Sequence, residues 1–140
     1  PDRELLVTGY RDVNYFGCYK KDDDSFRLLW ENRKKYKYSY NNNRVVFEPS
    51  RKGIYEMTLT KDFIVTLQRD YKNDPTDESQ VRRDAGKLPR TLFVYDYNGK
   101  LLKIINYNVP IGRIAGEIKT NTVYAIYADP DFKLGVTIIE

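Results

Sequence analysis

Histidine is absent from this chain, and cysteine, tryptophan and methionine occur once each. Without imidazole there is no ordinary general base, no commonest zinc ligand and no switch near neutral pH. Cys18 has no partner for an internal disulfide. It sits between Gly17 and Tyr19 in an apolar, strand-like run, where a thiol behaves as a small hydrophobe, and no histidine is present to activate it as a nucleophile. No apolar run approaches the roughly 20 residues that span a bilayer, and the opening Pro1-Asp2-Arg3 lacks the apolar stretch of a signal peptide. The expectation is a soluble chain from which any targeting segment has been left out. Phosphate-loop, dinucleotide, nucleophile-elbow and zinc motifs are all missing.

What is present is 140 residues, a common size for one domain and long enough to bury a core without disulfides or metals. The 24 basic and 20 acidic residues leave a formal charge of +4, spread along the chain, so charge alone selects no partner. Thirteen tyrosines favour strands, since aromatic side chains suit a pleated, half-buried surface.

Apolar segments of about five to eight residues alternate with turn residues, and none repeats at helical spacing over three turns. The expected strands are Leu5 to Tyr10, Tyr15 to Tyr19, Phe26 to Trp30, Arg44 to Phe47, Ile54 to Leu59, Phe63 to Gln68, Leu92 to Tyr97, Leu101 to Tyr107, Ile111 to Ile118, Val123 to Tyr127 and Gly135 to Ile139. Asn98-Gly99 signals a tight primed turn, because both residues tolerate positive φ. Thr60-Lys61-Asp62 and Thr120-Asn121-Thr122 read as further turns, and Asp22-Asp23-Asp24-Ser25 as another. The polar segment Asp70 to Arg90, with Asp74-Pro75, Gly86 and Pro89, is a long loop of the kind that is functional or mobile. Arg33 to Asn43, where tyrosines alternate with cations, equally describes an exposed strand.

Setting Ile54 against Ile114 aligns Thr60 with Thr120 and Phe63 with Val123, so a strand, a turn and a second strand recur at an offset of sixty residues. With the polar insertion 70–90 set aside, both copies share a strand order, and the first adds a fourth strand after Asn98-Gly99. Repeating antiparallel units of four strands describe propeller blades. The expected fold class is therefore all-β, a partial β-propeller of about three blades at 1–43, 44–108 and 109–140, holding three, four and three strands, with Arg44 to Phe47 as an extended connector. Three blades do not close a ring, so the rest of the ring would come from a longer protein or from association of chains.

The run Phe93-Val94-Tyr95-Asp96-Tyr97-Asn98-Gly99-Lys100-Leu101-Leu102-Lys103 resembles the recurring strand, acidic turn, glycine-lysine and return strand of the TolB-like, six-bladed β-propeller proteins of gut and oral bacteria. Thr122-Val123-Tyr124-Ala125-Ile126-Tyr127 is similar to the second strand of that pattern. The resemblance covers Gly53 to Glu140 best. It implies a six-bladed ring of which this chain is about half, and export from the cytoplasm, since many such proteins are exported lipoproteins. It supplies no catalytic residue and no cofactor. The insertion 70–90 departs from the family's minimal blade.

In such a ring the ligand-facing loops would be Glu48 to Lys52, Asp70 to Arg90, Asn108 to Arg113 and Asp129 to Lys133. Arg51, Tyr71, Tyr107 and Arg113 are the candidates for contacting an anionic or sugar-like ligand; the bland reading of each is a solvated loop residue. Asp70, Asn73, Asp74, Asp77 and Glu78 offer oxygens to calcium, but their spacing fits no EF-hand loop and Pro75 interrupts it, so no metal is expected. Arg33-Lys34-Lys35-Tyr36-Lys37-Tyr38 interleaves cations with rings as single-stranded nucleic-acid binders do, yet neighbouring acids dilute it and edge lysines commonly block strand pairing, so nucleic acid is not expected either. Asp129 and Asp131 form an acid pair of the type glycoside hydrolysis uses, without a geometry that sequence fixes. The reading is a non-catalytic binding or protein-interaction scaffold, with a protein or polar carbohydrate as partner and self-association possible in principle. Its alternative is a propeller-type lyase or hydrolase acting on a carbohydrate or other polar substrate.

Overall fold

A computed structural model describes residues 4–33, 37–48, 53–73 and 84–140. The described residues form antiparallel sheets and no α-helix, so none of them makes a helix long and apolar enough to cross a membrane. The chain divides into two compact units, Asp2–Ile54 and Tyr55–Glu140.

In the first unit β1 (Leu5–Gly9), β2 (Tyr15–Asp22) and β3 (Ser25–Arg33) form a three-stranded meander. The aspartate run makes its turn as expected. Asp23 takes a left-handed φ of 48°, Ser25 donates to the Asp22 carbonyl at 3.1 Å, and Arg27 donates to the Asp22 carboxylate at 2.8 Å. Pairing sets Val7, Cys18 and Trp30 on one face and Leu6, Tyr19 and Leu28 on the other. On the first face Phe16 and Cys18 are buried, and the Phe16 and Trp30 rings meet edge to face at 5.0 Å. Buried Ile54 joins this core, with its amide donating to the Tyr10 carbonyl at 2.8 Å.

Arg44 to Phe47 is not a lone connector. It forms β5 (Arg44–Glu48), paired with β4 (Lys37–Asn41). The tyrosine and lysine alternation that read as an exposed strand is β4, and all its residues are exposed. The primed-type backbone lies here: Asn42 and Asn43 carry φ of 46° and 58° between Asn41 and Arg44. Asparagine tolerates this region because its short amide bonds locally.

The second unit holds a four-stranded sheet of β6 (Glu56–Leu59), β7 (Ile64–Gln68), β8 (Thr91–Tyr95) and β9 (Leu101–Asn106). A three-stranded sheet follows, of β10 (Ile111–Gly116), β11 (Thr122–Asp129) and β12 (Asp131–Ile138). Among the described residues only one sheet thus has four strands. At the β8–β9 turn Gly99 alone is left-handed, at φ 80°. The turn is a longer one organised by Asp96, whose carboxylate accepts from the amides of Asn98 and Lys100 at 2.9 Å each. An Asx side chain here replaces the two-residue primed turn expected from Asn98-Gly99.

Val65 pairs with Val94 and Leu67 with Leu92, presenting an aliphatic block that clusters with Ile111, Ile114, Val123, Ala125 and Ile139. Each Val, Leu or Ile side chain here contributes about 1.5–3 kcal/mol by leaving water. At one end Asn121 ties the repeated turns together: its side-chain oxygen accepts from the Asp62 amide at 3.0 Å, and its NH2 donates to the Asp62 carboxylate at 2.9 Å. The Tyr97 hydroxyl donates to the Thr60 carbonyl at 2.7 Å. Thr58 Oγ1 on β6 accepts from the Gly116 amide on β10 at 2.6 Å, and a side chain at Gly116 would run into the Leu59 carbonyl. The repeat is present but not at a uniform sixty residues. Leu59 and Ile64 flank a turn of four residues, Gly116 and Val123 one of six, so the offset superposes the turns and not the first strands.

Candidate functional site

Because both sheets of the second unit are meanders, the β7–β8, β9–β10 and β11–β12 connections lie at one end. Backbone bonds stitch them together: Tyr107 N to the Arg90 carbonyl at 2.9 Å, Ile111 N to Pro89 at 2.9 Å, and Ala128 N to Pro110 at 3.0 Å.

Two guanidinium groups fix the returning half of the long loop. Arg69, which is 4% exposed, donates from Nη2 to the Lys87 carbonyl. Arg90 donates from Nη2 to the Gly86 carbonyl and from Nη1 to the Asn108 carbonyl, each at 3.3 Å. The Gly86 and Lys87 carbonyls belong to a 3-10 turn, Ala85–Lys87, started by Asp84, whose carboxylate accepts from the Gly86 amide at 2.9 Å. Charge-assisted bonds of this kind are stronger than neutral ones and help offset the cost of placing Arg69 inside. Nothing local marked Arg69 or Arg90 for this role. An arginine at a strand end ordinarily reads as solvated, and its burial follows from tertiary contacts.

On the outgoing side Asp70 makes an Asx turn, accepting from the Lys72 amide at 3.1 Å and from Asn73 Nδ2 at 2.6 Å. This turn carries Tyr71, which is 39% exposed. Tyr107 is placed otherwise. Its hydroxyl bonds Thr137 Oγ1 at 2.6 Å and its ring lies 5.6 Å from that of Tyr127, so it is half in the core. Burial pushes the Tyr127 hydroxyl above its ordinary pKa, with the neighbouring Tyr107 adding to the effect. Arg113 on β10 pairs with Glu56 on β6, and its guanidinium remains largely exposed. An exposed pair contributes about 0–1 kcal/mol, so the pairing orients Arg113 more than it stabilises the fold.

Of the four expected site residues, Tyr71, Tyr107 and Arg113 thus belong to connections or strand ends of one unit, and Arg51 lies outside the described residues. Asp74, Asp77 and Glu78 also lie outside them. Among the described residues no three acidic or thiol side chains gather as metal ligands would. Asp129 and Asp131 oppose one another as the last pair between β11 and β12. In the cationic tyrosine segment, residues 34–36 lie outside the described residues, and Arg33 pairs with Glu31 at 3.1 Å. Tyr38 and Tyr40 stand edge to face at 6.1 Å and 87°, which is not a flat stacking platform.

No protein-family model matches the chain, and no curated protein matches it.

Proposed function

We propose that this chain is a propeller-type binding scaffold of the TolB-like kind, working outside the cytoplasm, whose ligand surface is the loop end of the Tyr55–Glu140 unit. The observation that carries the reading is the guanidinium clamp on the long loop. A polar excursion between two strands is tied down at Gly86 and Lys87, and its outgoing side carries the partly exposed Tyr71. Loops carried on a sheet scaffold are where binding residues concentrate. The blade reading draws support from the first strands of the two sheets, β6 and β10, which lie side by side and are linked by Thr58 to Gly116 and by Glu56 to Arg113. Tyr71 supplies an apolar face with a hydroxyl, and Arg113 an oriented cation. Together they suit an acidic or neutral sugar, or an acidic peptide.

The test is calorimetric titration of the chain with a panel of neutral and acidic oligosaccharides and acidic peptides. One class should bind, and Tyr71→Ala and Arg113→Gln should each weaken that binding at least about fivefold, or 1 kcal/mol, with thermal stability preserved. No binding across the panel, or binding that both variants leave unchanged, overturns the proposal.

A further inference from the structure

The surplus of cations is concentrated in one stretch and not spread along the chain. Residues 33–52 hold seven basic residues and one acidic residue, a net charge of +6, whereas the other 120 hold 17 basic and 19 acidic residues, a net charge of −2. No acid interrupts the stretch between Glu31 and Glu48. At its centre is the hairpin of β4 and β5, a sheet of two strands only. Two strands alone are marginal in water, so such a hairpin gains from a surface that covers it.

The hairpin has two unlike faces. Backbone pairing matches Tyr38 with Phe47 and Tyr40 with Val45 and, one residue out of phase, Lys37 with Glu48, Ser39 with Val46 and Asn41 with Arg44. Successive side chains leave a strand on opposite sides, so Tyr38, Tyr40 and Val45 share one face, and Lys37, Ser39, Asn41, Arg44 and Val46 the other. Tyr38 is 62% and Tyr40 76% exposed, and Val45 beside them is 47% exposed. Among the described residues neither Lys37 nor Arg44 enters an ion pair. Glu48, the one acid of the stretch, lies at the end of the hairpin away from the Asn42-Asn43 turn, and Arg44 lies next to that turn.

We infer that this hairpin lies flat on an anionic lipid membrane, with Tyr38, Tyr40 and Val45 at the headgroup boundary and Lys37 and Arg44 among the phosphates. Tyrosine suits that depth because its ring is apolar while its hydroxyl stays hydrated. An amphipathic element with basic residues on its polar side holds to such an interface by apolar burial and charge attraction together. The long stems of Lys37 and Arg44 let their charged ends reach phosphate from the polar side. The local charge calls for an anionic surface, whose attraction for each cation salt then screens. Nucleic acid fits less well. A strand-binding groove meets phosphates and bases together and needs cations and rings on one side, whereas here they lie on opposite sides and the rings meet at 87°. A second copy of the hairpin would bring two like-charged stretches into contact. The inference does not depend on the ligand-binding proposal, whose Tyr71 and Arg113 belong to the other unit.

Co-sedimentation of the full chain with vesicles tests it, using phosphatidylcholine alone and phosphatidylcholine mixed with phosphatidylglycerol. The chain should bind the mixed vesicles only, and less as salt rises. Tyr40→Ser should weaken that binding, and Arg44→Gln should weaken it roughly fivefold, the effect of one cation near an anionic surface. Lys119→Gln, which removes an exposed cation from the other unit, should leave it unchanged. Both hairpin positions are exposed, and circular dichroism checks the fold. Tyr40→Trp adds a reporter whose emission should shift to the blue with mixed vesicles. No binding to mixed vesicles overturns the inference. So does equal weakening by Lys119→Gln, which would mean attraction by net charge alone. Binding to a thymidine oligonucleotide in preference to vesicles also overturns it and would mark the stretch as a nucleic-acid site.

Discussion

Strands β7 and β12 both carry a row of Ile, Val and Leu side chains, and hold them in opposite surroundings. Ile64, Val65, Thr66 and Leu67 of β7 are all buried, on both faces of the sheet, whereas Leu134, Val136 and Ile138 of β12 are exposed. The β-propensity of these aliphatic residues is the same in either strand, so it does not account for the difference. Position does: β7 is an inner strand between β6 and β8, and β12 is the edge of its sheet. The presence of Ile, Val and Leu thus does not tell a central strand from an edge strand, and only the second leaves unpaired backbone and an open side-chain row.

The contrast is broken most severely at β7. Leu67→Ala should cost about 2–5 kcal/mol by opening a cavity beneath Leu92, while Leu134→Ala at the exposed edge should cost no more than about 0.5 kcal/mol. Urea titration at low protein concentration gives both numbers, and equal losses would mean that the two strands share one environment. Next in size is Thr58→Val, which strips the Gly116 amide of its acceptor and should cost about 1–3 kcal/mol. Faster hydrogen exchange at Gly116, with β8 amides unchanged, is the accompanying sign. Tyr107→Phe deletes the bond to Thr137 on β12 and should cost about 0.5–1.5 kcal/mol by thermal denaturation. No change there would show that this strand is held by its ladder alone.

The last prediction reaches the other unit and concerns alkaline pH only. The bond to Tyr19, with burial second, raises Tyr15 from its ordinary value of 10.0 to about 12. The neutral phenol is favoured in the folded chain, so its contribution is intact below pH 10 and disappears between pH 10 and about 12. Ultraviolet titration of native protein should reveal a late-ionising tyrosine that Tyr15→Phe removes, and the variant's stability should fall less steeply across that window.

Strand order was legible in the sequence because period-two patterning and turn residues are local signals. The groups Leu5 to Trp30, Ile54 to Tyr107 and Ile111 to Ile139 correspond to the three larger sheets, with boundaries shifted by up to four residues. Arg44 to Phe47 was misread as a connector because the partner strand, Lys37–Asn41, has no buried residue to give it a pattern. Asn98-Gly99 was mistyped because the organising group, the Asp96 carboxylate, sits two residues earlier. The loop end was legible as a long polar excursion. Its anchor was not, since the burial of Arg69 is decided by a carbonyl eighteen residues away.

Cys18 lies fully within the first unit, and burial raises its thiol pKa. The second unit contains no cysteine. A thiol reagent therefore reacts only when the Asp2–Ile54 unit opens, and its rate clocks that opening separately from anything that happens in Tyr55–Glu140. The chain carries its own stopwatch for one of its two halves, and no label has to be introduced to read it.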